Sequence, residues 1–101
     1  MTPYPKPTKR IRDSEAVRRK VEGSSCRICG RTATDGHHAV LRSSRGDDCE
    51  ENVIPLCHED HMRYHAGKGR LKLRPEEFQY VVGKLGRQPA LEYLKKRRIS
   101  K

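Results

Sequence analysis

Five histidines and four cysteines of this chain fall between positions 26 and 65. Thiolate and imidazole are the side chains that bind zinc and related ions, and imidazole also exchanges protons near neutral pH. Cys26 and Cys29 form C-x2-C, a spacing at which two thiolates can grip one tetrahedral zinc. No βαβ pattern surrounds them, which argues against a thioredoxin-like redox pair; the plainer alternative is a reduced pair packed as small apolar residues. Cys57 is the natural third ligand. The fourth is open among Asp60, Cys49 and His58. If helical geometry already holds at Cys57, residues 57 and 60 share a face, while His58 shares one with His61 and His65, which favours Asp60. Cys49 competes as the softer ligand, eight residues upstream of Cys57.

His61 and His65 stand at i, i+4, on one face of a helix, and suit a single ion. His37 and His38 are adjacent, and neighbours on an extended segment point to opposite sides. Either a bend brings both to one site or one of them faces away. A two-Cys two-His finger does not fit: its pairs are separated by about a dozen residues, whereas Cys29 and His61 are 32 positions apart.

The elements that must carry these residues are short. Asp13 or Ser14 can cap a helix through about Val21, ended by Gly23. A cysteine knuckle, CRICG, follows. His38, Val40 and Ala33 offer a short strand, SSRGDD a turn, and ENVIPLC a second strand apolar at Val53, Ile54 and Leu56. HEDHMRYHAG has helical spacing, with Gly67 as its stop. GKGRLK reads as a flexible basic loop. Pro75 suits the first turn of a helix through about Leu85, with Glu76 and Glu77 favourable at its positive end and Gly86 closing it. Pro89 then opens a last helix. No internal repeat is present.

With 101 residues, 33% of them apolar, one Phe and no Trp, the chain allows one domain with a thin core. A domain this small gains stability from a metal staple, and zinc on the cysteines would tie the chain before the first strand to the start of the 58–66 helix. Lys and Arg number 23 against 13 Asp and Glu, a formal charge of +10. They are densest at Lys9–Arg12, Arg18–Lys20, Lys68–Arg74 and Lys95–Arg98. Such a surface attracts phosphate polyanions, although solubility alone also accounts for it. No stretch approaches the roughly 20 apolar residues that span a bilayer, and the N-terminus lacks the apolar centre of a secretory signal. The expectation is a cytoplasmic protein, in which four cysteines point to metal rather than disulfides.

The ordered string C26-R-I-C29, D-G-H37-H38-A-V, G-D-D-C-E-E-N52-V-I-P-L-C57 and H61-x3-H65 resembles the HNH endonuclease family. The match covers roughly residues 23–67 and has a His-Asn-His core similar to that of colicin-type nucleases. The resemblance implies an α+β fold: a small ββα-metal core with a Cys-rich zinc knuckle and flanking helices. In that scheme residues 1–12 are a disordered basic arm, 13–70 the nuclease core, and 71–101 C-terminal helices packed on or extending it. It also implies that His38 is the general base and that His37 and His61 bind the catalytic ion. His65 would be a further ligand or a phosphate contact, and Asn52 would brace the loop bearing the base through backbone bonds. Arg42 and Arg45 fall where basic residues meet the scissile strand, and Lys68 and Arg70 lie in the basic loop that would extend the nucleic-acid contact. At position 60, where many members carry a fourth Cys, this chain has Asp. The tail LRPEEFQYVVGKLG is loosely similar to the C-terminal helices of small phage-encoded members, which brings packaging proteins such as terminase into view as partners, with host cytoplasm as the location.

The implied chemistry is hydrolysis of DNA phosphodiesters, nicking one strand or cutting both, leaving 5′-phosphate and 3′-hydroxyl ends. A single divalent ion serves, because the paired carboxylates of two-metal sites are missing. Zn, Mg, Mn, Ni and Co are all compatible with His ligands. The rival reading is a non-catalytic zinc module that binds nucleic acid; it needs neither His38 nor Asn52. Either way, phosphate contacts should dominate binding. DNA affinity should fall on the order of 10²–10³-fold between about 50 mM and about 200 mM salt, largely irrespective of sequence, as measured by fluorescence anisotropy. A nearly flat salt dependence would contradict this.

Overall fold

The structure is a computed structural model that describes residues 12–100. The expected disordered arm therefore lies outside the described residues except for Arg12, which donates to Gly46 O at 3.3 Å. Among the described residues the fold is α+β, with four helices and two small sheets.

Helix α1 (Ser14–Val21) starts at Asp13, whose carboxylate accepts from the backbone N–H groups of Glu15 and Ala16 at 3.1 and 3.2 Å, filling donors that a helix start leaves open. Strand β1 (Asp35–His38) pairs antiparallel with β2 (Val53–Leu56), His37 opposite Ile54 and His38 opposite Val53. β1 is offset from the expected strand: Ala33 bonds back to Ser24 O in the knuckle, and Val40 is held by the side chain of Asn52 instead of a ladder. All four β2 residues are buried, since α1 and the main core cover both its faces. Helix α2 (His58–His65) follows directly, with the Cys57 sulfur accepting the Asp60 N–H at 3.4 Å as its N-cap.

Helix α3 (Pro75–Leu85) begins on Pro75. Helix α4 (Arg87–Lys96) begins two residues earlier than expected, so Pro89 sits inside the first turn, where its missing N–H needs no intrahelical partner. The basic loop is also shorter than expected. Its last two residues form β3 (Leu71–Lys72), parallel to β4 (Ile99–Ser100). The C-terminal part shares the core: Leu71, Leu73, Val81, Ala90, Leu94 and Ile99 pack in one cluster with Ile54 and Leu56.

One buried charge ties three parts of the chain together. Glu77, fully buried, faces Arg27 of the knuckle at 2.8 and 3.0 Å and Lys20 of α1 at 3.0 Å, and accepts the Arg74 N–H at 2.8 Å. Burial raises its pKa, but the bonds from Arg27, the Arg74 backbone and Lys20 outweigh that and hold it below its ordinary 4.5. Because the folded value is depressed, its stabilisation is present above 4.5 and lost as pH falls through the folded value. Glu77→Gln should cost about 3 kcal/mol at neutral pH, leaving two cations without their carboxylate. In denaturant melts, the gap between wild type and variant should narrow below pH 4.5; a gap that stays constant there would contradict the assignment.

Candidate metal centres and the histidine cleft

Two groups of potential metal ligands draw on neighbouring residues of α2. In the first, Cys26, Cys29, Cys57 and Asp60 present ligand atoms all within 4.8 Å of one another. Cys29 Sγ and Cys57 Sγ are 3.7 Å apart, and Asp60 Oδ2 lies 3.2 Å from Cys26 Sγ and 3.4 Å from Cys57 Sγ. A tetrahedral zinc with bonds of about 2.3 Å to sulfur sets its thiolates about 3.8 Å apart, so the donor set fits such an ion. The Ile28 N–H points at Cys26 Sγ (3.4 Å) and Arg31 Nε at Cys29 Sγ (3.4 Å), donors that suit thiolate charge. Asp60's carboxyl is held below the usual range, first by the Cys29 thiol and then by Cys26. Of the three options for the fourth position, Asp60 lies with the thiols. Cys49 instead precedes the 3-10 turn Glu50–Asn52, and His58 turns to Asp35.

The second group is His37, His61 and His65, again with ligand atoms within 4.8 Å. β1 supplies buried His37, and α2 supplies the other two, one turn apart. His61 Nε2 and His65 Nε2 are 3.0 Å apart, a separation that two lone pairs tolerate around a shared cation. Burial, then the neighbouring His61 and His65, depress His37 to about 3, and burial and His61 lower His65. Both imidazoles therefore favour the neutral, ligating form. His61 is oriented from behind: its Nδ1–H donates to Asp35 Oδ2 at 2.9 Å, which leaves Nε2 toward the cluster. Asp35 is held down to about 2, chiefly by that bond. Buried Tyr64 sets the rear wall, its ring edge-on to His37 with centroids 5.0 Å apart.

His37, His38, His61 and His65 line one cleft of about 330 Å³. His38, next to His37 on β1, reaches Asp48 with Nε2 at 2.8 Å. Burial raises the Asp48 pKa, but His38, the Asp13 N–H and Arg42 together hold it below the ordinary value. The loop between β1 and β2 is fixed from inside by Asn52, whose Oδ1 accepts from Val40 N at 2.7 Å while Nδ2 donates to Val40 O and Asp47 O at 3.0 and 2.9 Å. It closes so tightly that a Cβ on Gly46 would stand 1.7 Å from Val40 O; no side chain fits there. α3 and α4 grip it from outside. Tyr80 Oη and Lys84 Nζ donate to Asp47 Oδ2 at 2.6 and 3.0 Å, and Tyr93 Oη accepts from Leu41 N at 3.1 Å.

The basic residues separate. Arg42 lines the cleft but spends its guanidinium on Asp48, and Arg45 sits exposed at a left-handed turn, φ 71°. Lys68 and Arg70 are exposed beyond α2, and neither lines the histidine cleft. Asp35, Asp48 and Glu77 were not anticipated as functional residues. For Asp35 a signal existed: two positions before His37 on a strand puts both on one face. A larger, mostly apolar groove of about 510 Å³ runs beside α1 and adjoins the cleft through Gly36 and Arg42.

A segment of 49 residues is 41% identical to one of the subunits of DNA topoisomerase 4 from Salmonella typhimurium, covering 48% of this chain and 6% of that protein. The chain thus spans about 6% of the length of the curated relative it matches. No family model and no solved structure matches the chain. Among the described residues no helix is long and apolar enough to cross a membrane.

The cysteine group generates a test. Cys26→Ser should drop bound zinc from about one per chain toward none and lower the melting temperature. Asp60→Cys should tighten zinc, and Cys49→Ser should leave it bound, all read by metal analysis of the purified variants. Zinc retained in Cys26→Ser, or lost in Cys49→Ser, would reverse the assignment.

Proposed function

We propose that this chain is a metal-dependent endonuclease of the HNH type that hydrolyses DNA phosphodiesters, with a structural zinc on Cys26, Cys29, Cys57 and Asp60. The observation that carries the reading is the convergence in one cleft of three clustered imidazoles with a fourth, His38, whose loop is clamped by Asn52. The +10 charge supports a polyanionic substrate, and the local similarity to part of a DNA topoisomerase is compatible with DNA. A purely structural zinc module would need the cysteine group alone, and nothing in such a module calls for the histidine cleft.

In this mechanism His38 takes a proton from a water as the water oxygen bonds to phosphorus and the bond to the 3′ oxygen breaks. His37, His61 and His65 would hold the divalent ion, drawn from Zn, Mg, Mn, Ni or Co; when bound, it supplies positive charge for the phosphate and the leaving oxygen. Asn52 and Asp35 act through others, fixing the loop and the His61 ring. Exposed basic residues such as Arg45, Lys68 and Arg70 would add attraction for the DNA backbone.

The two adjacent histidines separate the roles. His38→Ala should cut about 10²–10⁴-fold more slowly while keeping the ion and DNA affinity, because the base touches water and not metal. His37→Ala and His61→Ala should weaken the ion, with part of the rate restored by excess metal. Cleavage rate against metal concentration, with calorimetric metal affinity, decides it. Loss of the ion in His38→Ala and its retention in His37→Ala would mean the roles are exchanged. Wild-type cutting by both would sink the reading.

A further inference from the structure

Asp48 is almost fully buried, 2% exposed, yet it belongs to neither metal group. Both of its oxygens are in use. Oδ1 faces His38 Nε2 at 2.8 Å and accepts from Arg42 Nε and Nη2 at 3.2 and 3.1 Å; Oδ2 accepts from Arg42 Nη2 at 2.9 Å and from the Asp13 N–H at 3.0 Å. The chain goes to some length to hold this carboxylate still. The N-terminal cap residue of α1 lends its backbone, the Arg42 fork closes the exposed side, and Asn52 pins the carbonyl of the preceding residue. A buried group this restrained, aimed at one ring nitrogen of the proposed base, needs a reason beyond loop packing.

The chemistry of the contact supplies it. An ionised carboxylate only accepts hydrogen bonds, so the nitrogen facing it must carry the hydrogen. A neutral imidazole has one N–H, and a partner at Nε2 therefore leaves the lone pair on Nδ1. We infer that Asp48 is a positioning residue for His38, accepting its Nε2–H and thereby fixing the ring tautomer and orientation so that Nδ1 is the nitrogen that takes the proton from water. Arg42 is part of the same device: it steadies Asp48, a different job from the strand contact expected of it. The proton balance closes. Water gives its proton to Nδ1 as its oxygen bonds to phosphorus, the ring then carries hydrogen on both nitrogens beside the Asp48 carboxylate, and the departing 3′ oxygen is protonated from solvent. The inference rests on the nuclease reading, since the tautomer matters only if His38 is the base.

Ring ¹⁵N shifts of His38 in the labelled full-length protein, together with kcat and KM on plasmid DNA, provide the test. The expected wild-type signature is a protonated Nε2 and an unprotonated Nδ1. Asp48→Asn offers the ring a donor or a weaker acceptor; it should lose that signature and about 10²–10⁴-fold in kcat, with KM for DNA and bound metal little changed. Asp48→Glu, which keeps a carboxylate, should recover part of both readouts and covers the case in which Asp48→Asn folds poorly. A wild-type His38 protonated at Nδ1, or Asp48→Asn cutting at the wild-type kcat, would overturn the proposal. If the wild-type protein cuts no DNA, the nuclease reading fails on its own, and the ring shifts still decide: the Nε2–H form supports positioning by Asp48, and the Nδ1–H form contradicts it.

Discussion

Asn52 sits at zero exposure between the two strands of the hairpin and fills three backbone valences at once. It accepts one N–H and donates to two carbonyls, a combination that only a carboxamide can offer at this size. Aspartate would present acceptors to two carbonyls, and a smaller apolar residue would orphan all three groups in a low-dielectric interior, where an unmet hydrogen bond costs about 1–3 kcal/mol. The positions it holds flank the proposed base and its carboxylate partner. Val40 lies two residues past His38, and Asp47 lies one before Asp48, so a single side chain sets both ends of the His38–Asp48 contact. The C-terminal helices then lock the same loop through Tyr80, Lys84 and Tyr93. They are part of the site's frame as well as of the core.

A second constraint is economy. Helix α2 has eight residues, yet it contributes to both ligand groups. Its N-cap Cys57 and first-turn Asp60 face the cysteine group, while His61 and His65 face the cleft. Metal on the cysteine group would therefore fix the angle at which the two imidazoles meet His37 across the hairpin. The depressed values at His37 and His65 belong to the same design. Burial and mutual proximity keep these rings neutral, which is the form that can share a cation.

Much of this was legible in the residue pattern. The C-x2-C knuckle, the helical phase that places Asp60 with Cys57, and the i, i+4 pair His61 and His65 are local regularities with fixed geometry. The limits of α1 and α3 followed from Asp13, Pro75 and Gly86. What escaped was non-local. Glu77 reads in sequence as an exposed first-turn acid favourable to its helix, and only the approach of α1 and the knuckle makes it the buried anchor for Lys20 and Arg27. Asp48 sits in the polar turn SSRGDD beside a second acid, Asp47, and no local pattern tells which of the two meets His38. β3 and β4 are two residues each, too short to show a period, and their parallel pairing joins positions nearly thirty residues apart. Arg42, placed by the family resemblance beside the scissile strand, also grips a buried carboxylate six residues on, a contact with no local signal in the sequence.

The central claim is that the histidine cleft cuts DNA when it holds a divalent ion. Supercoiled plasmid incubated with the purified wild-type protein and each of Mg, Mn, Ni, Co and Zn in turn tests it most directly. The account predicts conversion to nicked or linear plasmid with at least one of these ions, abolished by EDTA and leaving 5′-phosphate ends. Intact plasmid with every ion, from a protein that still binds DNA and carries its cysteine-bound zinc, would contradict it.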